Sequence, residues 1–497
     1  MSTRQETLDS SYLLVILAIY IITLSAFAKN LDAPYLHFDE AGQFFIAKGL
    51  NHDSQPLEQE KGLMHVIENN AHYNLDPGGF SIILHLWSKV SNSHIWIRLL
   101  PFTFFIGIVL SFIYLSYLWL KNLNIALLMG FIPFVAPMVL SLGIELRPYS
   151  MECLGTILGV VALEKLKNAI SYRRLFLWGC IFSFFITSRY SEIVVVFVVS
   201  LHVLYIISIS HLVVKKKMIA TIIYSFPVVV ALMYSYFYAL VFQNRTIEPI
   251  KYLPYISSNT AILIAPLNFL FLCLLALLII LFFLRNKYLI IKKYEMLLFM
   301  TISVNVLFVI LSFLGKHPWN PFEIRCISLF VVMLLCISAF LGELIKPLFE
   351  STKYVKYYFT VSAIIFALFI RYEHVLFVRG HQNNTYDNFV MTDISNHEHI
   401  YVESWESPSV RYLFEYGKLK NRKEGLYPYR FTFMKGIQHS YNDGNIAHDI
   451  FLKTQPRMND LVQYDLLITP VLFKLGDNFK WTLINGTTNF YIRQLVY

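Results

Sequence analysis

About eleven apolar runs, each near the length that crosses a bilayer, punctuate this chain of 497 residues and constrain it more than any motif does. A bilayer core needs about 20 consecutive apolar residues per helix. Lipid offers the backbone no hydrogen-bonding partner, so spanning segments must satisfy themselves internally. The runs fall near 11–29, 95–120, 124–142, 146–166, 174–190, 191–213, 218–242, 259–284, 294–314, 325–345 and 355–372. Only 15% of the residues are charged and 56% are hydrophobic, whereas about a quarter of a soluble domain is charged. The chain is expected to be an α-helical polytopic membrane protein with about 11 transmembrane helices.

The net charge of +9 does not mark a nucleic-acid partner, because the basic residues gather in short loops. They stand at Lys165, Lys167, Arg173 and Arg174, at Lys215 to Lys217, at Arg285, Lys287, Lys292 and Lys293, and at Lys346, Lys353 and Lys356. These loops alternate with loops poor in Lys and Arg, which is the positive-inside pattern. It predicts a multi-pass protein of the cell (inner) membrane with a cytoplasmic N-terminus. Loops 30–94, 143–145, 243–258 and 315–322, and the tail after 372, then lie outside. The first run closes on Ala26-Phe27-Ala28, which imitates a signal-peptidase site. Its leader carries Glu6 and Asp9 beside Arg4, so a retained helix is expected. Pro77 to Val90 is too short to span and reads as a re-entrant or interfacial helix.

Two parts are therefore expected: a transmembrane part, 1–372, with an extracytoplasmic first loop, 30–94, and a small soluble α/β domain, 373–497. In the tail, His399 to Glu403, Asp465 to Thr469 and Asn489 to Val496 read as strands, and Ser409 to Tyr416 as a helix. All five cysteines fall in apolar runs, so no disulfide framework is implied.

Ionisable residues recur on the outward side. Loop one holds Asp39, Glu40, His72 and Asp76; the third and fourth spans meet at Glu145-Leu146-Arg147-Pro148-Tyr149; Arg189, Tyr190 and Glu192 sit between the fifth and sixth. Lys316, His317, Glu323 and Arg325 sit between the ninth and tenth. Asp39-Glu40 is either a solvated acid pair suiting a helix N-terminus or a general base for an acceptor hydroxyl or amine. Glu145 and Arg147 are either an interfacial ion pair closing a helical hairpin or a phosphate-binding fork with its orienting carboxylate. Arg325 has the same two readings. Asp76-Pro77-Gly78-Gly79 is a turn signal, with Asp76 capping the next helix or facing the site. His72 and His85 lack the partners of a metal set.

The succession Phe38-Asp39-Glu40-Ala41, Asn74-Leu75-Asp76-Pro77-Gly78-Gly79-Phe80, Arg98-Leu99-Leu100-Pro101 and Glu145-Leu146-Arg147-Pro148-Tyr149 resembles bacterial glycosyltransferase family 39-like proteins. These are relatives of protein O-mannosyltransferases and lipid A aminoarabinose transferases. The resemblance implies a GT-C membrane fold and inverting transfer of a sugar from a polyprenyl-phosphate carrier to a glycan, lipid or protein acceptor on the extracytoplasmic face. It implies Asp39 as base with Glu40 in support. Arg147 and Arg325 are implied at the carrier phosphate; Glu145, Tyr149, Asp76 and His72 are expected, from their place on the outward side, to bind substrate. Arg325-Cys326 replaces the Arg-Tyr of relatives, and Asp-Pro-Gly-Gly replaces their His-Pro-Pro.

No cofactor is required by this chemistry, and a divalent metal is not indicated, although a loop carboxylate could bind one. The competing expectations are a secondary transporter, whose ionisable groups sit near the bilayer midplane, and a non-catalytic polysaccharide-assembly membrane protein. Neither needs Asp39, Glu145 and Arg147 to converge.

Overall fold

The structure, a computed structural model, describes residues 10–33, 36–50, 58–74, 76–168, 170–241, 293–314, 316–317, 319, 324–351, 400–402, 407–417, 431–433, 466–468, 480–484 and 490–494. The expected spans at 259–284 and 355–372 lie outside the described residues. Among those described, five helices are long and apolar enough to cross a bilayer. The chain is a multi-pass membrane protein.

Helix α1 (Ser10–Ala28) leads into the first loop, which folds as α2 (Phe38–Ala47), α3 (Leu63–Tyr73) and α4 (Gly79–Trp87). Helix α5 (His94–Leu120) starts at Ser93, whose hydroxyl accepts from the Trp96 amide at 3.3 Å. The Trp87 and Trp96 rings stack 4.7 Å apart, and each indole donates to the other's backbone carbonyl, at 2.7 and 2.9 Å. This clasp joins the short α4 to the spanning α5 at the level where tryptophan favours the interface.

The run at 124–142 is not one continuous span. It is broken into α6 (Leu123–Met129), α7 (Ile132–Val135) and α8 (Pro137–Leu142). Gly130 follows α6, Pro133 and Pro137 open the next two pieces, and Ala136 is extended, as the residue before a proline prefers. The Tyr20 ring of α1 stacks on Phe131 at 4.2 Å, and its hydroxyl donates to the Leu127 carbonyl, beside the break.

Helices α9 (Tyr149–Asn168), α10 (Tyr172–Ile186), α11 (Tyr190–Ile209) and α12 (Val214–Met233) follow, then α13 (Glu295–Phe313) and α14 (Ile327–Ser351). Their contacts fix which ends lie together. Lys167 at the end of α9 pairs with Glu295 at the start of α13 (2.8 Å), and Lys293 with Glu343 near the end of α14. At the opposite end Arg189 meets the Ile324 carbonyl, and Tyr234, just past α12, donates to the Pro77 carbonyl at 3.0 Å. One end of the bundle thus collects loop one, the 143–148 turn and the starts of α9, α11 and α14; the other carries the basic loops.

The described part of the tail contains α15 (Ser407–Glu415) and strands β1 (Ile400–Val402), β2 (Phe431–Phe433), β3 (Leu466–Ile468), β4 (Lys480–Ile484) and β5 (Phe490–Gln494). They form one sheet in the order β2-β1-β3-β5-β4. β1 runs parallel to β2 and β3, while β5 runs antiparallel to β3 and β4. Helix α15 packs on α2: Phe44 meets Tyr412 and Tyr416 edge-on at 5.1 and 5.0 Å, and the Arg411 guanidinium lies 4.5 Å over Phe45. Arg411 is itself buried and bonded to Glu415 at 2.8 Å.

The Asp76-Pro77-Gly78-Gly79 turn is locked between α3 and α10. Gly78 has φ 92°, in the left-handed region that favours glycine. The Gly79 amide donates to the Thr187 carbonyl at 2.8 Å. A Cβ on Gly79 would stand 1.9 Å from Thr187 Oγ1 and 2.8 Å from the Thr187 carbonyl oxygen, so the turn must move to accept one. Gly79→Ala is therefore expected to lower the thermal midpoint of the purified protein by several degrees. Gly42→Ala, where a Cβ meets nothing within 4 Å, is expected to be neutral or mildly stabilising.

Candidate active site

The site is assembled around the first turn of α2. His37 caps this helix: its ring accepts from the Asp39 amide at 3.4 Å, while the Glu40 carboxylate reaches back to the His37 amide at 3.1 Å. That capping box places Asp39 and Glu40 on successive helical positions, about 100° apart around the axis. Their surroundings differ accordingly.

Glu40 faces the protein and is 1% exposed. Arg98, fully buried on α5, grips it through Nε at 3.2 Å and Nη2 at 2.8 Å, and the Leu146 amide donates to it at 2.9 Å. Arg98 Nη1 also donates to the Ala33 carbonyl. Burial by itself would raise the Glu40 carboxyl; Arg98 and the two amides overcome this and hold it below the usual carboxylate range. Glu40, expected beside Asp39 as its support, is engaged here by Arg98 and by the Leu146 and His37 amides. With both oxygens taken, Glu40 ties α2, α5 and the 143–148 turn together.

Asp39 faces the other way and is half-buried. Its backbone carbonyl accepts from Arg147 Nη1 at 3.5 Å, which brings the Glu145-to-Tyr149 segment across the first turn of α2. Arg147 Nε is buried with no hydrogen-bond partner among the described residues. The Arg147 and Arg189 guanidiniums lie 5.9 and 4.6 Å over the ring of Tyr149, the first residue of α9. Two cations thus share one aromatic ring. Burial works against the charge of Arg147, while Tyr149, Asp39, Asp76 and Glu145 hold its pKa above the ordinary value.

Glu145 is half-buried, and its carboxyl is pushed up to about 7, by burial first and then by the nearby Glu40 and Asp39 charges, against the pull of Arg147 and Arg189. A folded pKa raised above the ordinary 4.5 means that the folded state keeps a proton the unfolded chain has lost. The associated stability is present below about pH 4.5 and is lost as pH rises through 7. Glu145→Gln is expected to remove this dependence. Its thermal midpoint, compared with that of the parent, should rise progressively from pH 5 to pH 8 in a thermal-shift series.

Asp76 lies buried in its turn, its Oδ1 accepting from the Gly78 amide at 2.9 Å. Burial raises its carboxyl against the influence of Arg147 and Arg189. A buried amide and hydroxyl network supports it from below. Asn70 Nδ2 donates to the Asp76 carbonyl (2.9 Å), Ser81 to Asn70 Oδ1 (2.6 Å), Gln43 to Ser81 (2.6 Å) and Asn74 to Gln43 (2.9 Å).

His72 stands apart from this group. It is exposed on α3, two residues from both Asn70 and Asn74 and hence on the opposite face of the helix from the one that meets the site. Arg325 is half-buried in the 3₁₀ turn that opens α14, next to Ile324, whose carbonyl accepts from Arg189 at 3.3 Å. It therefore comes to the same end of the bundle as Arg147.

Arg189 was noted from the sequence among the outward charges but given no role of its own, and Glu152 was not singled out; here the two pair beneath the site. Glu152, fully buried, pairs with Arg189 at 2.8 Å and accepts from Ser191 and Ser328, both at 2.6 Å. Glu192, also buried, accepts from Thr156 at 3.0 Å, and its other oxygen has no hydrogen-bond partner among the described residues. The available signal was a carboxylate one turn inside an apolar run, which is costly and therefore paired or functional. Among the described residues no group of three His, Cys, Asp or Glu side chains could hold a metal ion.

No family model and no curated protein matches the sequence. Solved structures do. ArnT from Cupriavidus metallidurans in the apo state, a lipid A aminoarabinose transferase, aligns over 97% of this chain and 98% of its own, at 9% identity and TM-score 0.50. The same protein bound to undecaprenyl phosphate aligns over 98% of each chain, at 9% identity and TM-score 0.52. The fold is of the GT-C type. The arabinosyltransferase EmbB from Mycobacterium smegmatis aligns over 82% of this chain and 42% of its own, at 14% identity and TM-score 0.44, below the level at which a shared fold follows. At such identities a GT-C fold establishes architecture and leaves function to the site.

Proposed function

We propose that this protein is a membrane glycosyltransferase that moves a sugar from a polyprenyl-phosphate carrier to an envelope acceptor on the extracytoplasmic face. The observation that carries this reading is the convergence of Asp39 and Glu145 with Arg147, Tyr149 and Arg189 at one end of the bundle. A carboxylate beside paired cations is what a lipid-phosphate donor needs. The fold, shared with a structure solved in complex with undecaprenyl phosphate, supports it.

In this scheme Asp39 takes the proton from the acceptor hydroxyl or amine, whose oxygen or nitrogen attacks the anomeric carbon of the sugar. The bond from that carbon to the phosphate oxygen breaks in the same step, so the configuration inverts. The carrier leaves as its phosphate, which gains a negative charge. Arg147 and Arg189 offset that charge in a site shielded from water, with Arg325 on the α14 side. Anchoring the donor in the bilayer confines its headgroup and supplies part of the proximity advantage. Glu145, with its pKa near neutrality, holds or releases a proton beside the acceptor.

The test is transfer by the purified protein in detergent or vesicles, using defined undecaprenyl-phosphate sugars, pentose and hexose in parallel. Glycans, lipids and proteins of the envelope serve as acceptors, and products are read by mass spectrometry. Formation of undecaprenyl phosphate with a glycosylated acceptor is the expected result. Uptake of a solute into vesicles with no covalent product would replace the reading with a transporter.

A further inference from the structure

The end of the bundle opposite Asp39 holds a second polar site. A cavity of about 340 Å³ opens between α5, α9 and α10, lined by Leu118, Lys121, Glu164, Lys165 and Arg174. Its lining carries three cations and one carboxylate, that of Glu164, which accepts from the Trp119 indole at 3.0 Å. Lys121 is the one non-glycine residue with positive φ among the described residues, at 55°. It is the left-handed C-cap that ends α5 at the cavity's edge, its amide donating to the Tyr117 carbonyl. The Lys165 ammonium stands 4.8 Å over the Tyr114 ring. Tyr114 and Tyr117 lie one turn before Leu118 and Lys121, and Leu177 lies one turn after Arg174; all three are more than a third exposed. The cavity is thus flanked by apolar helix faces of the kind that meet lipid tails.

We propose that this cavity binds the phosphate headgroup of an anionic glycerophospholipid of the cytoplasmic leaflet, with its acyl chains along α5 and α10. The basic loops place this end in the cytoplasm, and basic pockets between spanning helices on that side suit anionic headgroups. The positive-inside rule requires only a count of charges. It does not call for a cavity lined by those charges. Apolar faces on both sides favour a lipid over free phosphate. The assignment rests on the orientation of the bundle and not on the glycosyltransferase reading, so each can fail without the other.

Native mass spectrometry of the delipidated full chain, titrated with phosphatidylglycerol or phosphatidylcholine, tests it. The parent is expected to prefer phosphatidylglycerol by about tenfold or more. The triple variant Lys121→Gln, Lys165→Gln, Arg174→Gln should lose that preference. The variant Lys215→Gln, Lys216→Gln, Lys217→Gln, which removes the same charge from another basic loop, should keep it. If the triple variant does not fold, Lys121→Gln alone is read in the same way. No preference in the parent, or equal loss in both triple variants, overturns the site. Displacement of the lipid by inorganic phosphate overturns the lipid assignment, and tighter binding of undecaprenyl phosphate than of phosphatidylglycerol overturns the lipid class.

Discussion

Asp39→Asn is expected to reduce sugar transfer from an undecaprenyl-phosphate donor by about 10²- to 10⁴-fold, the contribution typical of a general base. Expression and thermal midpoint should be preserved. The expectation of a stable variant follows from the geometry. The hydrogen bonds given to Asp39 among the described residues run through its backbone: its amide donates to His37 and its carbonyl accepts from Arg147, while its carboxylate acts on Arg147 and Glu145 through charge. An Asn side chain leaves both in place. The measurement is initial rate against donor concentration. A loss in kcat with KM for the donor little changed is the signature of a base, because in the proposed scheme Arg147 and Arg189 still hold the phosphate. Retained transfer would remove Asp39 from that role and turn attention to Glu145.

The neighbouring carboxylate is expected to behave in the opposite way. Glu40→Gln leaves the guanidinium of Arg98 fully buried without its counter-charge. Removing one partner of a buried pair costs about 3–5 kcal/mol, so a large drop in thermal midpoint or a failure to accumulate in the membrane should result. The double variant Glu40→Leu, Arg98→Met removes both charges and should recover a substantial part of the stability without recovering transfer, since the amide of Leu146 loses its acceptor and the 143–148 turn its tether. The pH dependence has a definite sign. Because the Glu40 carboxyl is held below its ordinary value, its contribution is present above the unfolded-state pKa and is lost as pH falls through the folded one.

These two contrasting outcomes show where the sequence speaks and where it is silent. Adjacent residues in a sequence look like a pair, but on a helix they point about 100° apart, so the capping box that sets α2 necessarily sends Asp39 and Glu40 to different environments. The spans of α5, α11, α13 and α14 are legible because twenty apolar residues in a row admit few other structures. The broken passage at 124–142 is masked by the same hydrophobicity, although Gly130, Pro133 and Pro137 were in plain view. Arg147 and Tyr149 could be read as part of a site because they sit at the outward end of a span. Arg189, Glu152 and Ser328 could not be joined to them, since residues from three separate helices meet there only after the bundle has packed. The tail posed the same difficulty, as nothing in Ser407–Glu415 names α2 as its partner.

That last contact has a consequence for how the protein comes into being. The aromatic residues that cover the back of helix α2, Tyr412 and Tyr416, are synthesised more than three hundred residues after it. Chains generally fold N-terminal parts first during synthesis. Here the helix bearing Asp39 waits, incompletely packed, until α15 has been made and has docked on it. The proposed site is then completed late, after the spans that carry its other residues can already have been inserted and paired.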